Sequence, residues 1–548
     1  MGAESKKISP TLSDAQWERL AGYGTPIEAG AGDVLFRSGD RSYDLILVES
    51  GAVDVVREAL AWAEETRIAT LGPRSFVGEL GLLNGQRAFL TARVADSGRM
   101  LRVDHEALQR MMAEDDELCD LMLRTLWARR EELRRGPAAW TLKIIGSPRS
   151  RDAVALRRYA ERLDLVHTWV DADDPAMAAP LASHGFTADD LPVAIVQGEN
   201  VRRATPGQLA ELLGLAYAAE DDFTVDLAVV GAGPAGLAAA IYGASEGLRT
   251  VLLDAVAPGG QSAATSRIEN YLGFPFGVSG DALTAQASLQ AFKFGVRVVA
   301  PCEAVRLEST GDGLEVTLAD GAVVRARAVV VTTGVAYRSL DLDRWKDFEG
   351  AGIHYAASAL ELRQMAGAEV VVVGGANSAG QAALALSANG CHVRLVVRAN
   401  DLSAQMSSYL VDRILQDPRI DVHTGTQVGA LHGGDELERV TLHGPGEQVV
   451  DCRGLFCFIG AEPATGWLAD VERDEHGFVH TGADVIGLGD AWREAGRMPL
   501  PFETSIPRVF AAGDVRRGSM KRVAAAVGEG SSAVASVHRA LAAAEVFA

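Results

Sequence analysis

The chain has 548 residues, of which 48% are hydrophobic and 23% are charged, and its 52 Lys+Arg against 73 Asp+Glu give a net charge of −21. At roughly 100–200 residues per domain this length predicts about three or four domains, and the ordinary apolar and charged fractions exclude a disordered, collagen-like or coiled-coil protein. The acidic balance argues against a nucleic-acid partner, because negative charge repels phosphodiester backbones.

Signals for membrane insertion or secretion are missing from the sequence. No run approaches the roughly 18 apolar residues of a membrane helix, and the polar N-terminus has no signal-peptide core. An odd number of scattered cysteines excludes a disulfide framework, and these are Cys119, Cys302, Cys391, Cys452 and Cys457. We therefore predict a cytoplasmic protein with no membrane partner and no metal site.

Short β runs separated by glycines fill residues 11–103, and a charged helical pattern follows from His105 to Arg135. This order predicts a small β-roll or jelly roll with C-terminal helices over residues 1–138.

Two runs in this block, 35–56 and 75–94, resemble cyclic-nucleotide-binding domains. Arg87 stands one residue early for that pattern, and bulky Phe89-Leu90 replaces a small pair, so a domain that binds no nucleotide is an equal alternative. The resemblance implies a phosphate-binding cassette that would hold a cyclic nucleotide through Gly78, Glu79, Leu80 and Arg87.

Residues 140–215 alternate strand and helix patterns, which predicts a small α/β domain over 139–220. Ser147-Pro148-Arg149-Ser150 follows its first strand, and Leu191-Pro192-Val193 precedes a later one. These positions resemble the Cys-Pro-x-Cys and the cis-proline of thioredoxin and glutaredoxin folds. Serine at both cysteine positions removes dithiol chemistry, which leaves either an inert spacer or a docking role.

The first of two Gly-rich turns joins an apolar strand to an Ala-rich helix within residues 225–255. In Gly231-Ala-Gly233-Pro234-Ala235-Gly236, the first glycine makes the tight turn, the second lets backbone N–H groups approach a pyrophosphate, and the third permits close helix–strand packing. Asp254 ends the next strand, where a carboxylate would accept ribose hydroxyls. The combination predicts a dinucleotide-binding fold.

The second turn lies within residues 368–398 and repeats the strand–turn–helix–strand order. In Gly374-Gly375-Ala376-Asn377-Ser378-Ala379, alanine stands where close phosphate approach prefers glycine. Arg398 ends the second strand, where a guanidinium suits a ribose 2′-phosphate and favours NADPH over NADH. The alternative is a solvated surface arginine.

Further segments carry a more specific resemblance. GGQ at 259–261, RIENYLGFP at 267–275, TTG at 332–334, FIGAEP at 458–463 and VFAAGDV at 509–515 resemble the low-molecular-weight thioredoxin reductase family in order and spacing. Two dinucleotide folds in one chain usually pair a flavin with a hydride donor.

This resemblance implies a homodimer and two Rossmann-like three-layer ββα domains, an FAD domain split into 221–340 and 464–548 and an NAD(P)H domain inserted at 341–463. The FAD-binding residues would be Gly231, Gly233, Pro234, Ala235, Gly236, Asp254, Gly260, Gln261, Asn270, Thr333, Gly334, Gly513, Asp514, Lys521, Arg522 and Val523. The NADPH-binding residues would be Gly374, Asn377, Ser378, Ala379, Arg398, Ile459 and Gly460.

One segment departs from the family pattern. The family's redox Cys-x-x-Cys and the acid after it correspond here to Ala356, Ala359 and Leu360. Thiol–disulfide exchange needs a thiolate, so this segment supplies no catalytic residue and cannot pass electrons to thioredoxin.

We predict an FAD-dependent NAD(P)H oxidoreductase that passes hydride from NADPH to FAD and electrons to an unknown acceptor. That acceptor would be a thioredoxin-like or other redox protein, a quinone-like small molecule or oxygen, and the N-terminal domain would regulate the enzyme. Two alternatives are a non-catalytic or weakly catalytic signalling flavoprotein that senses a nucleotide, and a ferredoxin- or flavodoxin-NADP reductase-like enzyme.

Overall fold

A computed structural model of the chain describes residues 12–60, 63–217, 224–265, 267–310, 313–357, 359–434, 436–488 and 491–546. These residues form a β-roll with helices, a small α/β domain and two Rossmann-like domains, so the predicted fold class is confirmed. The predicted boundary between residues 220 and 221 lies outside the described residues.

The N-terminal unit is a β-roll of two antiparallel four-stranded sheets. Its elements are α1 (Asp14–Ala21), β1 (Thr25–Ala29), β2 (Val34–Phe36), β3 (Leu45–Val48), β4 (Ala52–Arg57), β5 (Thr66–Leu71), β6 (Ser75–Val77), α2 (Gly81–Asn84), β7 (Thr91–Asp96), β8 (Gly98–Val103), α3 (His105–Glu114) and α4 (Asp116–Leu133). The sheet orders are β1-β8-β3-β6 and β2-β7-β4-β5, and apolar side chains of both, such as Val48 and Val94, share one core.

The helical stretch predicted from His105 to Arg135 is two helices rather than one. Asp115 has an extended backbone (φ −129°, ψ 94°) and accepts the N–H of Leu118, so it caps a new helix. Because the chain turns there, apolar faces of both α3 and α4 pack against the roll.

The second unit is a mixed four-stranded sheet with helices. Its elements are β9 (Leu142–Gly146), α5 (Arg151–Arg162), β10 (Thr168–Asp171), α6 (Ala178–Ser183), β11 (Val193–Val196), β12 (Glu199–Val201) and α7 (Pro206–Leu213). The sheet order is β10-β9-β11-β12, with β9 and β10 parallel, and the Leu191–Pro192 peptide is cis. We refer to it as the thioredoxin-like domain.

The third unit contains a seven-stranded sheet. Its elements are β13 (Thr224–Val230), α8 (Pro234–Ser245), β14 (Thr250–Leu253), α9 (Gly280–Lys293), β15 (Arg297–Val299), β16 (Ala304–Thr310), β17 (Gly313–Leu318), β18 (Val323–Val331) and β19 (Val335–Tyr337). The order β15-β14-β13-β18-β17-β16 places the Gly231 turn at the carboxyl end of a central parallel strand.

The fourth unit contains a five-stranded parallel sheet and a three-stranded antiparallel one. Its elements are α10 (Trp345–Phe348), β20 (Ile353–His354), α11 (Ala359–Gln364), β21 (Glu369–Val373), α12 (Asn377–Ala388), β22 (His392–Val397), α13 (Ser408–Gln416), β23 (Ile420–Thr424), β24 (Gln427–His432), β25 (Arg439–His443), β26 (Glu447–Asp451) and β27 (Gly454–Cys457). The sheet orders are β20-β27-β21-β22-β23 and β24-β25-β26.

The last segment returns to the third unit. Its elements are β28 (Ala461–Pro463), α14 (Ala491–Glu494), β29 (Val509–Ala511) and α15 (Val523–Val546). β29 pairs with β18, and β28 pairs with β19, so a two-stranded antiparallel ribbon joins the two Rossmann-like domains. Among the described helices, none has both the length and the apolar character needed to cross a bilayer.

Candidate functional site

Two glycines of the first Gly-rich turn, Gly231 and Gly236, cannot be replaced by another residue. Gly231 has a φ of +105°, and a Cβ there would lie 2.4 Å from the Thr332 carbonyl oxygen. A Cβ on Gly236 would lie 1.7 Å from the Gly231 carbonyl oxygen. Both positions therefore require glycine for the turn itself.

Gly233 has a different role, because it leaves space. It caps α8 without a side chain, and Pro234 and Ala235 follow in the first turn. A Cβ on Gly233 would have only the Gly260 Cα as a neighbour, at 4.0 Å. The first N–H groups of α8 have no side-chain acceptor, and this open cradle fits a pyrophosphate.

Asp254 holds the loop around this cradle. One carboxylate oxygen accepts the N–H of Ala232 at 2.7 Å, and the other accepts those of Val256 and Ala257 at 2.9 Å. Burial raises the pKa of Asp254, and these three N–H groups oppose that rise. The oxygen with a single donor keeps a free lone pair that suits a ribose hydroxyl.

The C-terminal segment brings Gly513 and Asp514 to the edge of the sheet that also holds the first Gly-rich turn. The Gly513 N–H donates to Glu529 at 2.8 Å, and Arg516 holds Glu529 with two further bonds. Asp514 accepts no hydrogen bond from the residues that the structure describes, and burial raises its pKa, against the opposing charge of Lys521. An acceptor without a donor fits a polyol such as a ribityl chain.

The remaining predicted FAD residues lie around the linkers. The Gln261 amide donates to the Val335 carbonyl at the start of β19, and Thr333 donates to the Ala464 carbonyl at 2.8 Å. Gly334 has a φ of +65°, which a glycine adopts easily. Three members of this set are exposed: Asn270, Lys521 and Arg522. Val523 is the first residue of α15.

The second Gly-rich turn has the same construction. Gly374 has a φ of +143°, and a Cβ there would lie 2.4 Å from the Phe458 carbonyl oxygen. Ala376 caps α12 without a side-chain bond, and Asn377 accepts the N–H of Ser407 at 2.8 Å. Ser378 is exposed and Ala379 is buried beneath it, while Ile459 and Gly460 connect β27 to the ribbon.

Arg398 follows β22 and is exposed. Within the described part of the chain it has neither an ion pair nor a hydrogen bond. Its guanidinium is thus available to a phosphate at the edge of this domain.

The segment at which the sequence resemblance expects a dithiol lies between β20 and α11. Ala356 follows His354-Tyr355, and Ala359 is the first residue of α11. The Tyr355 ring stacks on that of Tyr337 in the ribbon, with centroids 5.3 Å apart.

The five cysteines do not compensate for this loss. Burial raises the pKa of Cys302, Cys452 and Cys457 to about 12 and also raises that of Cys119 and Cys391. Thiols with such values carry almost no nucleophilic thiolate at neutral pH.

The predicted cyclic-nucleotide cassette is held by α4. Arg129 donates to the Gly78 carbonyl at 2.7 Å, and Arg130 pairs with the Glu79 carboxylate, its Nε at 3.0 Å. The Tyr43 hydroxyl donates to the other Glu79 oxygen at 3.0 Å. Leu80 is buried in the adjoining core.

The phosphate end of this cassette is covered by the thioredoxin-like domain. The N–H of Arg87 donates to the Leu213 carbonyl at 2.9 Å, and that of Ala88 donates to the Asp40 carbonyl at 3.0 Å. Phe89 and Leu90 are buried in a core shared with that domain. The backbone N–H groups of Arg87 and Ala88 are therefore already bonded, whereas the buried Arg87 Nε has no hydrogen-bond partner among the described residues.

Comparison with known proteins follows the same division of the chain. Residues 225–530 match the pyridine nucleotide-disulphide oxidoreductase family over more than half of the chain. The chain belongs to the pyridine nucleotide-disulphide oxidoreductase family. Residues 26–115 match the cyclic nucleotide-binding domain.

Several thioredoxin reductases are similar to this family member. That of Treponema pallidum is 31% identical over 311 residues, covering 56% of this chain and 94% of the reductase. That of Streptomyces clavuligerus is 32% identical over 320 residues, covering 58% and 93%. The crystal structure of T. acidophilum thioredoxin reductase gives a TM-score of 0.51 at 27% identity, covering 58% of this chain and 98% of that one.

Thioredoxin reductase-like members of the pyridine nucleotide-disulphide oxidoreductase family are FAD-dependent NAD(P)H oxidoreductases and bind FAD and NADPH. The cradle at Gly233 and the unpaired acceptor Asp514 fit FAD, and the uncapped α12 with Arg398 fits NADPH. The structure places two of the predicted residues beside the first turn of α8: a Cβ on Gly260 would lie 2.9 Å from the Gly233 Cα, and one on Gly513 would lie 2.9 Å from the Ala235 Cβ.

Three charged residues around these clefts were not predicted from the sequence. Glu529 and Arg516 fix the Gly513 peptide, although they lie 13 residues apart. Arg162 lies in the last turn of α5, and burial lowers its pKa. The negative charge of Asp254, in the FAD domain, raises that pKa and so opposes the effect of burial. No sequence signal could have found Arg162, because its neighbours lie in another domain.

Proposed function

We propose that this chain is an NADPH-dependent flavoprotein oxidoreductase. It would deliver electrons to its acceptor without using a dithiol of its own. One observation carries the proposal: two Gly-rich turns open onto uncapped helices, α8 and α12. Each turn follows the carboxyl end of a parallel strand, and the β19–β28 ribbon joins the two sheets. Such a pair of clefts suits one nucleotide that donates hydride and another that accepts it.

The chain's own residues would bind and orient both nucleotides. When bound, FAD would supply the redox chemistry, taking hydride from NADPH and passing electrons onward. The α8 N–H groups would hold the pyrophosphate, and Asp254 and Asp514 would accept hydroxyls of the ribose and ribityl chains. Arg398 would pair with the 2′-phosphate of NADPH.

The site chemistry also supports an acceptor other than a disulfide. Ala356 and Ala359 carry no sulfur, and burial raises the pKa of all five cysteines. Electrons would therefore leave directly to a small molecule or to a redox protein that needs no thiol relay.

Anaerobic titration of the purified full-length protein with NADPH tests this proposal. We expect a yellow protein whose flavin absorbance bleaches with one equivalent of NADPH, while the number of titratable thiols in denaturant stays constant. A protein that binds no FAD, or a bound flavin that millimolar NADPH leaves oxidised, would overturn the proposal. An increase in the number of titratable thiols on reduction would show that the chain passes electrons to a disulfide after all.

A signalling flavoprotein is the second candidate. The favouring observation is that the β-roll unit touches the FAD domain directly, through Phe292 in its core and Lys293 3.8 Å from Asp120. In that case the N-terminal units would bias the position of the FAD and NAD(P)H domains, and flavin reduction by NADPH would be no faster than that of free flavin.

A further inference from the structure

The loop of residues 147–150, which precedes α5 in the thioredoxin-like domain, contacts the NAD(P)H domain. The Gln364 side chain, at the end of α11, donates to the Pro148 carbonyl at 3.2 Å. Arg149 pairs with Glu436 at 3.1 Å, in the connection between β24 and β25. Arg151, the first residue of α5, lies against Gly350, where a Cβ would be 3.3 Å from the arginine Cγ.

A partly buried ion pair reinforces this contact. Arg158 on α5 reaches Glu361 on α11 at 2.7 Å, and the glutamate side chain is only 5% exposed. A carboxylate at that depth is costly without a cation, so Arg158 stabilises the buried Glu361 across the contact.

The same helix also contacts the FAD domain. The Tyr159 hydroxyl donates to the Ala300 carbonyl at 2.9 Å, and both groups are buried. Ala257, which follows the Asp254 loop, is fully buried in the core of the thioredoxin-like domain. Helix α5 therefore lies between the FAD and NAD(P)H domains and is bonded to each.

In both domains, the positions at which the sequence resemblance expects a dithiol lie near this contact. Ser147 and Ser150 flank the start of α5, and Ala356 and Ala359 flank the start of α11. We propose that the thioredoxin-like domain, through α5, holds the NAD(P)H domain against the FAD domain and restricts the movement of one against the other. The contact stands on its own geometry, while its meaning for electron transfer depends on the proposed function.

Charge reversal tests the contact in the full-length protein by hydrogen exchange. In Arg158→Glu we expect exchange of amides in residues 147–151 and 359–364 to become about tenfold faster, because two carboxylates would then face each other. The double variant Arg158→Glu/Glu361→Arg restores the opposite charges and should return both segments toward the wild-type rate. Unchanged exchange in both segments of Arg158→Glu would overturn the proposal.

Two further variants guard against a general loss of folding. Arg325→Glu reverses an arginine of similar exposure to Arg158, in a surface pair 3.2 Å from Glu315 within the FAD domain, and should leave both segments at the wild-type rate. Gln364→Ala removes the bond to Pro148 without reversing a charge, and should speed exchange in residues 147–151. Equal acceleration by Arg325→Glu would show that the effect is not specific to α5, which also overturns the proposal.

Flavin content and NADPH reduction are recorded on the same samples. A colourless protein whose α11 exchange responds to Arg158→Glu would overturn the proposed function and support this contact. A yellow, NADPH-reducible protein whose α11 is insensitive would support the function and overturn the contact.

Discussion

We propose that nucleotide preference depends on Arg398. It is exposed at the end of β22, and an arginine there pairs with a 2′-phosphate that NADH lacks. We expect Arg398→Ala to raise KM for NADPH by about 10- to 100-fold, the value of roughly 1.4–3 kcal/mol for a charge-assisted bond, and to leave KM for NADH unchanged.

Steady-state kinetics with both nucleotides measures this effect. Arg413→Ala, which removes an exposed arginine of the same domain, serves as the control and should change neither KM. Equal KM values for NADPH in wild type and Arg398→Ala would mean that Arg398 is a solvated surface residue.

His354 gives the protein a specific sensitivity to acid. Its ring is buried against that of Phe456, and this burial lowers its pKa to about 4. The charge of Glu361 raises the pKa and that of Arg158 lowers it, but burial is the largest effect. Between an unfolded pKa of about 6.5 and this value only the unfolded chain binds the proton, so the free energy of unfolding falls as pH falls through this window.

Replacing this imidazole should therefore flatten the pH dependence. At pH 5 we expect about 2 kcal/mol of the loss relative to pH 7 to come from His354, and His354→Leu should lack it. Thermal unfolding of both proteins at pH 7 and pH 5 measures the difference. A wild type and a variant that lose the same Tm on acidification would contradict the buried, neutral histidine.

Sequence reasoning succeeded at residues whose role depends on their own backbone. Gly231, Gly236 and Gly374 are required by local turn geometry, and the spacing of the turns predicts that. It did not predict that Asp254 is already bonded to three N–H groups, or that Arg162 approaches it, because both depend on tertiary contacts.

At the scale of elements, the turn before α8 separates folding from cofactor binding. A methyl group on Gly233 meets nothing closer than 4.0 Å in the protein, so Gly233→Ala should fold normally while filling the cradle and reducing bound FAD at least about tenfold. Gly236→Ala, with its Cβ 1.7 Å from the Gly231 oxygen, should disrupt the domain itself.

Absorbance of bound flavin and circular dichroism of the same samples distinguish the two outcomes. Gly207→Ala, in the first turn of α7 in the thioredoxin-like domain, is the matched control, because a Cβ there would meet only the Thr205 hydroxyl at 3.9 Å, and it should keep both signals. Full flavin content in Gly233→Ala would show that the pyrophosphate lies elsewhere.

The arrangement of elements was partly readable from the sequence. The β-roll, the two Rossmann-like domains and the helix of residues 151–162 follow from periodicity and turn residues. The position of the break between α3 and α4 was not predicted, because an aspartate at Asp115 fits both an N-cap and a solvated position within one helix. The packing of α5 on α11 has no signal in either segment alone.

For the whole molecule, the covered cassette predicts the response to cyclic nucleotides. The N–H of Arg87 is bonded to Leu213, and Phe89 lies in the shared core, so a bound phosphate would have to separate two domains. We expect millimolar cAMP or cGMP to leave Tm and the rate of flavin reduction unchanged, because only a ligand that binds the folded state raises Tm.

The same measurement with 5′-AMP corrects for nonspecific effects of added nucleotide. A rise in Tm with cAMP or cGMP beyond that of 5′-AMP would show that the cassette opens. Such a result would favour the signalling flavoprotein.

Helix α5 also limits how this protein can be engineered. Because one short helix contacts both nucleotide domains, residues 12–217 cannot be transferred to another reductase as an independent module. Arg158 and Tyr159 would then lack their partners, the Glu361 carboxylate and the Ala300 carbonyl. A functional chimera would need to transplant both halves of each contact.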